Sequence, residues 1–205
     1  RQPYGTWSVV NLPDGSKVWL NAGSSLKYPT QFNDKQRVVS MQGEAYFEVS
    51  KTGQPFIVNA NGMQVEVLGT TFNISAYPDE EYQTTLVNGS VKVSAEKGES
   101  LILKPSQQAT IALGSNSIQV RTVDTSFYTS WVKGKINFKD QRLEDIMKTL
   151  SRWYDMNVVY ENEKLKNIRF GCNLNRYEEI TPFVKLLEKT EEVHVKIEGN
   201  TITFH

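Results

Sequence analysis

The amino-acid sequence predicts an all-β domain followed by a small α+β domain. Between residues 4 and 123, short runs alternate apolar and polar residues, and Gly, Asn, Asp and Pro separate them. Helical spacing of apolar residues appears only after a bridging stretch that ends near Gly134. A chain of 205 residues has room for one large or two small domains. We therefore expect an all-β domain over 1–125, a linker over 126–134 and an α+β domain over 135–205.

The strands of the first domain are predicted from alternation and from turn residues. Pro13-Asp14-Gly15 favours a turn because Pro fixes φ and Gly tolerates positive φ. Asn61-Gly62 separates the apolar run at 56–58 from the alternating run at 63–67, so a hairpin is expected there. Asn88-Gly89 provides a similar turn further along the chain. About a dozen such strands are typical of a sandwich-like, jelly-roll-like or solenoid-like domain.

The first helix of the second domain is predicted from apolar residues at three-and-four spacing, with Asp140 as its N-cap. The apolar face consists of Leu143, Ile146, Met147, Leu150 and either Trp153 or Tyr154. The opposite, charged face consists of Arg142, Glu144, Asp145, Lys148 and Arg152.

A second helix follows, with Thr181 and Pro182 in its first turn. Its inner face consists of Ile180, Phe183, Val184 and Leu187. With the strand-like runs around both helices, the order is β-α-β and then β-α-β-β. This order is typical of a compact α+β domain whose helices pack on a small sheet.

Charge and composition exclude several classes of function. The 23 Lys and Arg residues balance 23 Asp and Glu residues, so the chain lacks the positive charge of a typical nucleic-acid or membrane-surface binder. The single cysteine, Cys172, cannot form an intramolecular disulfide and is expected to be a half-buried apolar residue. Since the sequence has no run of about 18 apolar residues, no segment of it is predicted to span a bilayer.

Catalytic and metal-binding patterns are missing from the sequence. It has no Gly-x-Ser-x-Gly elbow and no phosphate-binding loop, and neither His194 nor His205 has ligands at metal-site spacing. Glu44 and Glu48 share a strand face, but roughly 13 Å separates them, beyond the spacing of a glycosidase pair. We interpret them as a solvated strand face and predict no catalytic residue, metal or cofactor.

The aromatic residues allow two interpretations. The four tryptophans, Trp7, Trp19, Trp131 and Trp153, occur with nine Tyr and nine Phe. Such residues build the core of a β-domain more often than they form a sugar-stacking platform, because each buries a large area. A carbohydrate-binding or carbohydrate-processing all-β module is the alternative function.

Several ordered motifs resemble one known family. They are residues 12–24 (Leu-Pro-Asp-Gly-Ser-Lys-Val-Trp-Leu-Asn-Ala-Gly-Ser), 43–49 with 55–58, 67–74 and 85–93. Together they are similar to the periplasmic part of a FecR-type anti-sigma regulator. The run from Phe138 through Ile146 to Trp153-Tyr154 resembles the small domain that ends many such proteins. That small domain is itself similar to the secretin and TonB short N-terminal fold.

The resemblance implies signalling rather than catalysis. A FecR-type regulator receives a signal in the periplasm from the N-terminal signalling domain of a TonB-dependent outer-membrane transporter. A single membrane span connects its periplasmic part to a cytoplasmic segment that binds an extracytoplasmic-function sigma factor. The resemblance therefore implies a location on the periplasmic side of the inner membrane of a Gram-negative cell. The chain begins with Arg1 rather than Met, so we expect the span and the cytoplasmic segment upstream of it.

The partner-binding residues are predicted at a strand edge of the small domain, because an unpaired strand offers backbone groups to a partner. Aromatic and Arg side chains near such an edge are typical binding residues. The predicted set is the strand residues Ile168, Arg169 and Phe170 with the approach to Leu174, together with an exposed face near Trp153 and Tyr154. We expect Phe170→Asp or Arg169→Asp to weaken binding of the transporter domain without unfolding the chain. A third possibility is a structural or assembly module, since secretin-like small domains also occur in secretion machinery.

Overall fold

A computed structural model describes residues 1–176 and 178–205. The chain divides into two units, the first formed by Arg1–Pro3 with Trp7–Thr129 and the second by Tyr4–Thr6 with Ser130–His205. The first unit is a large curled β-sheet and the second is a smaller α+β unit, so the predicted fold class is confirmed. No helix in the described part of the chain is long and apolar enough to cross a membrane.

The first unit contains a twelve-stranded sheet built from the described residues, followed by a one-turn helix, α1 (Ser126–Thr129). Its strands are β1 (Ser8–Asn11), β2 (Lys17–Leu20), β3 (Ser25–Lys27), β4 (Arg37–Glu48), β5 (Phe56–Ala60), β6 (Met63–Val67), β7 (Thr71–Ala76), β8 (Tyr82–Asn88), β9 (Val91–Ala95), β10 (Ser100–Leu103), β11 (Gln107–Ile111) and β12 (Gln119–Thr122). The order along the sheet is β10-β9-β6-β5-β4-β7-β8-β11-β12, and β1, β2 and β3 join beside β4.

Strand β4 connects the two halves of the curled sheet. Its first residues pair with β3 and β5, and its last residues pair with β2 and β7. Gly43 lies where the pairing changes, with φ +88° and the Cα of Ser24 only 2.8 Å from the position of a missing Cβ. A side chain at this position would collide with Ser24. The two halves enclose one apolar core, in which the rings of Phe47 and Phe72 stack with centroids 4.9 Å apart.

The two Asn-Gly turns have different outcomes. Asn61 and Gly62, with φ of +46° and +83°, join β5 to β6, so the predicted hairpin is confirmed. Asn88-Gly89 joins β8 to β9, but these strands do not pair with each other. β8 pairs with β7 and β11, whereas β9 pairs with β6 and β10. The chain therefore crosses from one half of the curled sheet to the other at Gly89.

The second unit contains two small sheets and two helices. Its elements are β13 (Lys135–Arg142), α2 (Leu143–Tyr154), β14 (Asn157–Tyr160), β15 (Arg169–Asn175), α3 (Thr181–Glu188), β16 (Val195–Glu198) and β17 (Thr201–Phe204), with 3₁₀ turns at Ser130–Lys133 and Glu163–Asn167. β13 and β15 form an antiparallel pair, and β14-β17-β16 form a mixed sheet. This is the predicted order β-α-β followed by β-α-β-β. The stretch 126–134, expected as a linker, contains α1 and the first 3₁₀ turn.

Helix α2 buries the predicted apolar residues Leu143, Ile146, Met147, Leu150 and Trp153. Two details of the prediction are wrong. Arg152, expected on the charged face, is only 9% exposed. Asp140 is not the N-cap, because the helix begins at Leu143 after Arg142 and has no side-chain cap. Asp140 instead has φ +51° and lies where the β13–β15 register shifts, so the local sequence signal for a cap marks a β-bulge.

Candidate protein-interaction surface

The carboxylates considered as a catalytic pair do not form one. Glu44 is half-buried and accepts hydrogen bonds from the side-chain amides of Asn21 (2.8 Å) and Asn73 (3.0 Å), while Glu48 is exposed. Glu44 is therefore part of a polar cluster rather than the freely solvated face that the sequence predicts. Within residues 1–176 and 178–205, no three His, Cys, Asp or Glu side chains come together as a metal site.

The tryptophans divide between core and half-buried positions. Trp131 and Trp153 are 6% and 3% exposed, in agreement with their predicted core role. Trp7 and Trp19 are half-buried, and Trp19 meets Tyr46 edge to face with ring centroids 5.5 Å apart.

The six predicted partner-binding residues lie in two groups along α2. Ile168 is at the start of the helix, where its carbonyl oxygen accepts from the backbone N–H of Leu143 at 2.8 Å, and Arg169 and Phe170 follow it in β15. Trp153 and Tyr154 are in the last turn of this twelve-residue helix, about 18 Å away. Leu174, the sixth residue, pairs with Ile136 near the other end of β15. The structure therefore does not bring the six together as one patch.

Two of the six side chains are buried, which corrects the expectation of an exposed face at Trp153. Trp153 is 3% exposed and Phe170 is 8% exposed, and Phe170 belongs to the apolar core of the second unit. Tyr154 is half-buried, and its hydroxyl donates to the carbonyl oxygen of Glu178 at 3.0 Å. Burial, with a contribution from the Glu178 charge, raises the pKa of the Tyr154 hydroxyl above its ordinary value.

Arg169 is exposed, but its guanidinium already has a partner within the unit. Nε donates to Oδ1 of Asp140 at 2.9 Å, and Nη2 donates to the Asp140 backbone oxygen. The Arg169 guanidinium therefore binds the residue at which β13 bulges. Since both side chains are more than half exposed, the ion pair contributes little to stability. The guanidinium remains accessible to a second acidic group.

Strand β15 offers an open edge. Among the described strands it pairs only with β13, so the backbone groups on its other side are outside any ladder. Phe170, Cys172 and Leu174 are buried or half-buried, whereas Arg169, Gly171 and Asn173 alternate with them and are exposed. We describe the unpaired side of β15, with these exposed residues, as the β15 edge. An extended segment of a partner can continue a sheet at such an edge.

Cys172 is half-buried in the same strand, as predicted. Burial raises the pKa of its thiol to about 11. A thiol with that pKa is protonated at neutral pH, and Cys172 packs against the apolar core of the second unit.

One contact at the end of α2 was missed by sequence reasoning. The guanidinium of Arg176 lies 4.5 Å from the centre of the Trp153 ring, and Arg176 is 9% exposed. The two residues are far apart in sequence and no local pattern connects them. Only the return of the chain through β15 toward the end of α2 brings them together.

The fold defines the structural class of the protein: a curled β-sheet unit and a smaller α+β unit, in which β15 has one open edge among the described strands. Two family profiles match the chain, one described as FecR protein over residues 4–92 and one described as FecR, C-terminal over residues 135–204. The chain belongs to the FecR family of regulators, which confirms the resemblance found in its motifs.

Solved structures agree with this assignment. Two crystal structures of a "putative anti-sigma factor" from Parabacteroides distasonis ATCC 8503, at 1.65 Å and 2.50 Å resolution, are similar to the chain with TM-scores of 0.90 and 0.89. Each has 27% sequence identity, and the alignment covers 100% of this chain and 96% of the other. A comparison with curated proteins finds no match.

Proposed function

We propose that the chain is the periplasmic signal-receiving part of a transmembrane anti-sigma regulator and not an enzyme. In this proposal it couples a TonB-dependent outer-membrane transporter to an extracytoplasmic-function sigma factor. The N-terminal signalling domain of the transporter binds the chain. A membrane span and a cytoplasmic segment outside this sequence anchor the protein and bind the sigma factor. Residues 1–125 and 135–205 act as its two domains.

The single observation that supports this proposal best is the combined family match. Both halves of the chain match FecR profiles, and the profile described as C-terminal matches the second half. The whole chain is similar to one described as an anti-sigma factor, at an identity high enough for the likeness to extend beyond the fold. The chain's zero net charge also favours a protein partner over nucleic acid.

We propose the β15 edge as the site that the transporter domain binds. Ile168, Arg169 and Leu174 lie on or beside this edge and serve as contact residues in the proposal, with Tyr154 at the far end of α2 as a further contact. Trp153 and Phe170 are both buried, so in the proposal they pack beneath the contact residues and do not touch the partner. A short two-stranded sheet with one free side on β15 is suited to β-strand addition.

Calorimetry with a purified transporter signalling domain tests the function and the site. The probe is the purified N-terminal signalling domain of a TonB-dependent transporter from the same organism. We expect saturable one-to-one binding to the wild-type chain. Binding of a glycan in its place, with no binding of the signalling domain, would contradict the proposed function.

Substitutions that place a negative charge on the β15 edge then test the site. We expect Arg169→Asp and Asn173→Asp, which change the β15 edge, to weaken binding about tenfold or more. Lys196→Asp is the matched control, because it makes the same charge reversal on β16, an edge strand of the other sheet. Asp140→Asn is a second control, because it removes the intramolecular charge partner of Arg169 and leaves Arg169 in place. Unchanged affinity in the two β15 variants, or equal loss in Lys196→Asp, would disprove the site.

A further inference from the structure

Two histidines lie side by side at the end of the β16–β17 ladder. The backbone N–H of His194 donates to the carbonyl oxygen of His205 at 2.9 Å, and the N–H of His205 donates to the carbonyl oxygen of His194 at 3.0 Å. The two residues therefore extend the antiparallel pairing of β16 with β17 by one position. Residues directly opposite each other in such a ladder place their side chains on the same face, with Cβ atoms about 5 Å apart.

Both imidazoles lie on the open face of the three-stranded sheet. Phe204, which precedes His205, is 0% exposed and belongs to the apolar core of the second unit. Since neighbouring residues in a strand point to opposite faces, His205 and the paired His194 point away from this core, and both are exposed. Dissolved ions can therefore reach both rings.

The positions of the two rings suit chelation of a single ion. The ring centroids of His194 and His205 are 6.1 Å apart, and the ring planes are inclined by 33°. A nitrogen ligand lies about 2.1 Å from a bound zinc ion, so the centres of two imidazoles on one ion are roughly 4.5–6.5 Å apart. The observed separation falls inside this range. Small side-chain rotations at the surface therefore suffice to direct one nitrogen of each ring at a shared ion.

The charges around the pair permit a bound cation. The backbone N–H of Glu161 donates to the carbonyl oxygen of Phe204 at 2.9 Å, so the exposed Glu161 follows β14 beside His205. The nearest cation along β16, Lys196, is paired with Glu198 at 2.9 Å. Since no three-residue metal group occurs in the described part of the chain, Glu161 is a neighbouring negative charge and not a third ligand.

We propose that His194 and His205 form a two-histidine site for a divalent transition-metal ion at the end of the β16–β17 hairpin. Neutral imidazole is a ligand for Cu²⁺, Ni²⁺ and Zn²⁺, whereas Mg²⁺ and Ca²⁺ prefer oxygen ligands. Water fills the remaining coordination positions, so the affinity follows the general order for divalent ions, with Cu²⁺ the tightest. The sequence does not predict the site, because only the pairing of β16 with β17 brings the two histidines together. The site does not depend on the partner proposed above.

Calorimetry with metal salts at about pH 7.5 tests the site in the full chain. We expect Cu²⁺ to bind more tightly than Ni²⁺ or Zn²⁺, and Mg²⁺ not to bind. Because both rings hold one ion, His194→Gln and His205→Gln should each weaken Cu²⁺ binding at least about tenfold. Lys196→Gln is the matched control, because it replaces an exposed side chain of the same hairpin and keeps both imidazoles. Equal Cu²⁺ affinity in the wild type and the two histidine variants would overturn the proposal.

Unfolding in urea gives a second test. An ion shared by His194 and His205 connects the two ends of the hairpin only in the folded chain, so it stabilises that state. We expect Ni²⁺ to raise the urea midpoint of the wild type and to leave the midpoint of His205→Gln unchanged. A rise of equal size in both proteins would mean that the ion binds elsewhere and would disprove the site.

Discussion

Arg37 and Asp14 form a buried ion pair in the first unit, with Nη1 of Arg37 2.6 Å from Oδ2 of Asp14 and side-chain exposures of 1% and 7%. The guanidinium also donates to the backbone oxygens of Ser50 (2.8 Å) and Gln54 (2.6 Å). The Asp14 carboxylate accepts from the backbone N–H and hydroxyl of Ser16 at 3.0 and 2.8 Å. The pair therefore connects the Pro-Asp-Gly turn, the start of β4 and the loop after β4.

Replacing Asp14 with Asn should strongly destabilise the first unit. The amide has a similar shape but no charge, so Arg37 would be left as an uncompensated buried cation. Breaking one side of a buried pair costs about 3–5 kcal/mol. The measurement is urea unfolding, with Asp34→Asn as the control because Asp34 is exposed. Equal unfolding midpoints for Asp14→Asn and the wild type would show that the pair does not stabilise the fold.

The same pair should make stability depend on pH. Burial alone would raise the pKa of the Asp14 carboxyl, but hydrogen bonds from Ser16 and Arg37 outweigh it, so the pKa lies below the ordinary value of 3.8. A lowered pKa stabilises the fold above the pKa of the unfolded chain. This stabilisation is lost as the pH falls through the folded-state value. We expect the advantage of the wild type over Asp14→Asn in urea to be constant above about pH 5 and to shrink below about pH 4. An advantage that grew on acidification would contradict this sign.

The β-strands and the hairpin at Asn61-Gly62 follow from the sequence because their signals are local. Alternation shows which side chains face the core, and Asn-Gly supplies the two positive φ angles of a tight turn. The crossing at Asn88-Gly89 does not follow, because the same turn signal does not reveal which strands will pair. Gly89 is required there for a different reason, since a Cβ would lie 2.9 Å from Oγ1 of Thr70 on another loop.

The candidate surface could be predicted only in part. Helix α2, the strand that carries Arg169 and the order of these two elements could be predicted from the periodicity of apolar residues. The burial of Phe170 could not be predicted, because an aromatic residue beside an edge has the same sequence signature whether it faces the core or a partner. The bulge at Asp140 depends on its tertiary contact with Arg169, and the hydrogen bond from the Gly5 N–H to the last turn of α2 joins distant parts of the chain. Such contacts between remote residues have no local signal.

Gly43 should tolerate Ala less well than a glycine of similar conformation. Gly43 and Gly53 have φ of +88° and +86°, so Ala costs about 1–2 kcal/mol of backbone strain at either position. At Gly43 the new Cβ would also lie 2.8 Å from the Cα of Ser24, whereas at Gly53 it would meet nothing within 4 Å. We expect Gly43→Ala to be more destabilising by about 1–3 kcal/mol in urea unfolding. Equal losses would mean that the backbone at Ser24 moves aside freely.

Replacement by Asp should destabilise the chain strongly at Phe170 and only slightly at Arg169, although the two residues are neighbours in β15. Phe170 is 8% exposed in the core of the second unit, so Phe170→Asp removes a large apolar side chain and buries a charge. We expect Phe170→Asp to lower the free energy of unfolding by about 3 kcal/mol or more. Tryptophan fluorescence is the signal that monitors unfolding in this measurement. Arg169 is more than half exposed, so Arg169→Asp should change that free energy by no more than about 1 kcal/mol. A Phe170→Asp chain as stable as the wild type would place this side chain at the surface and make it a usable probe of partner binding.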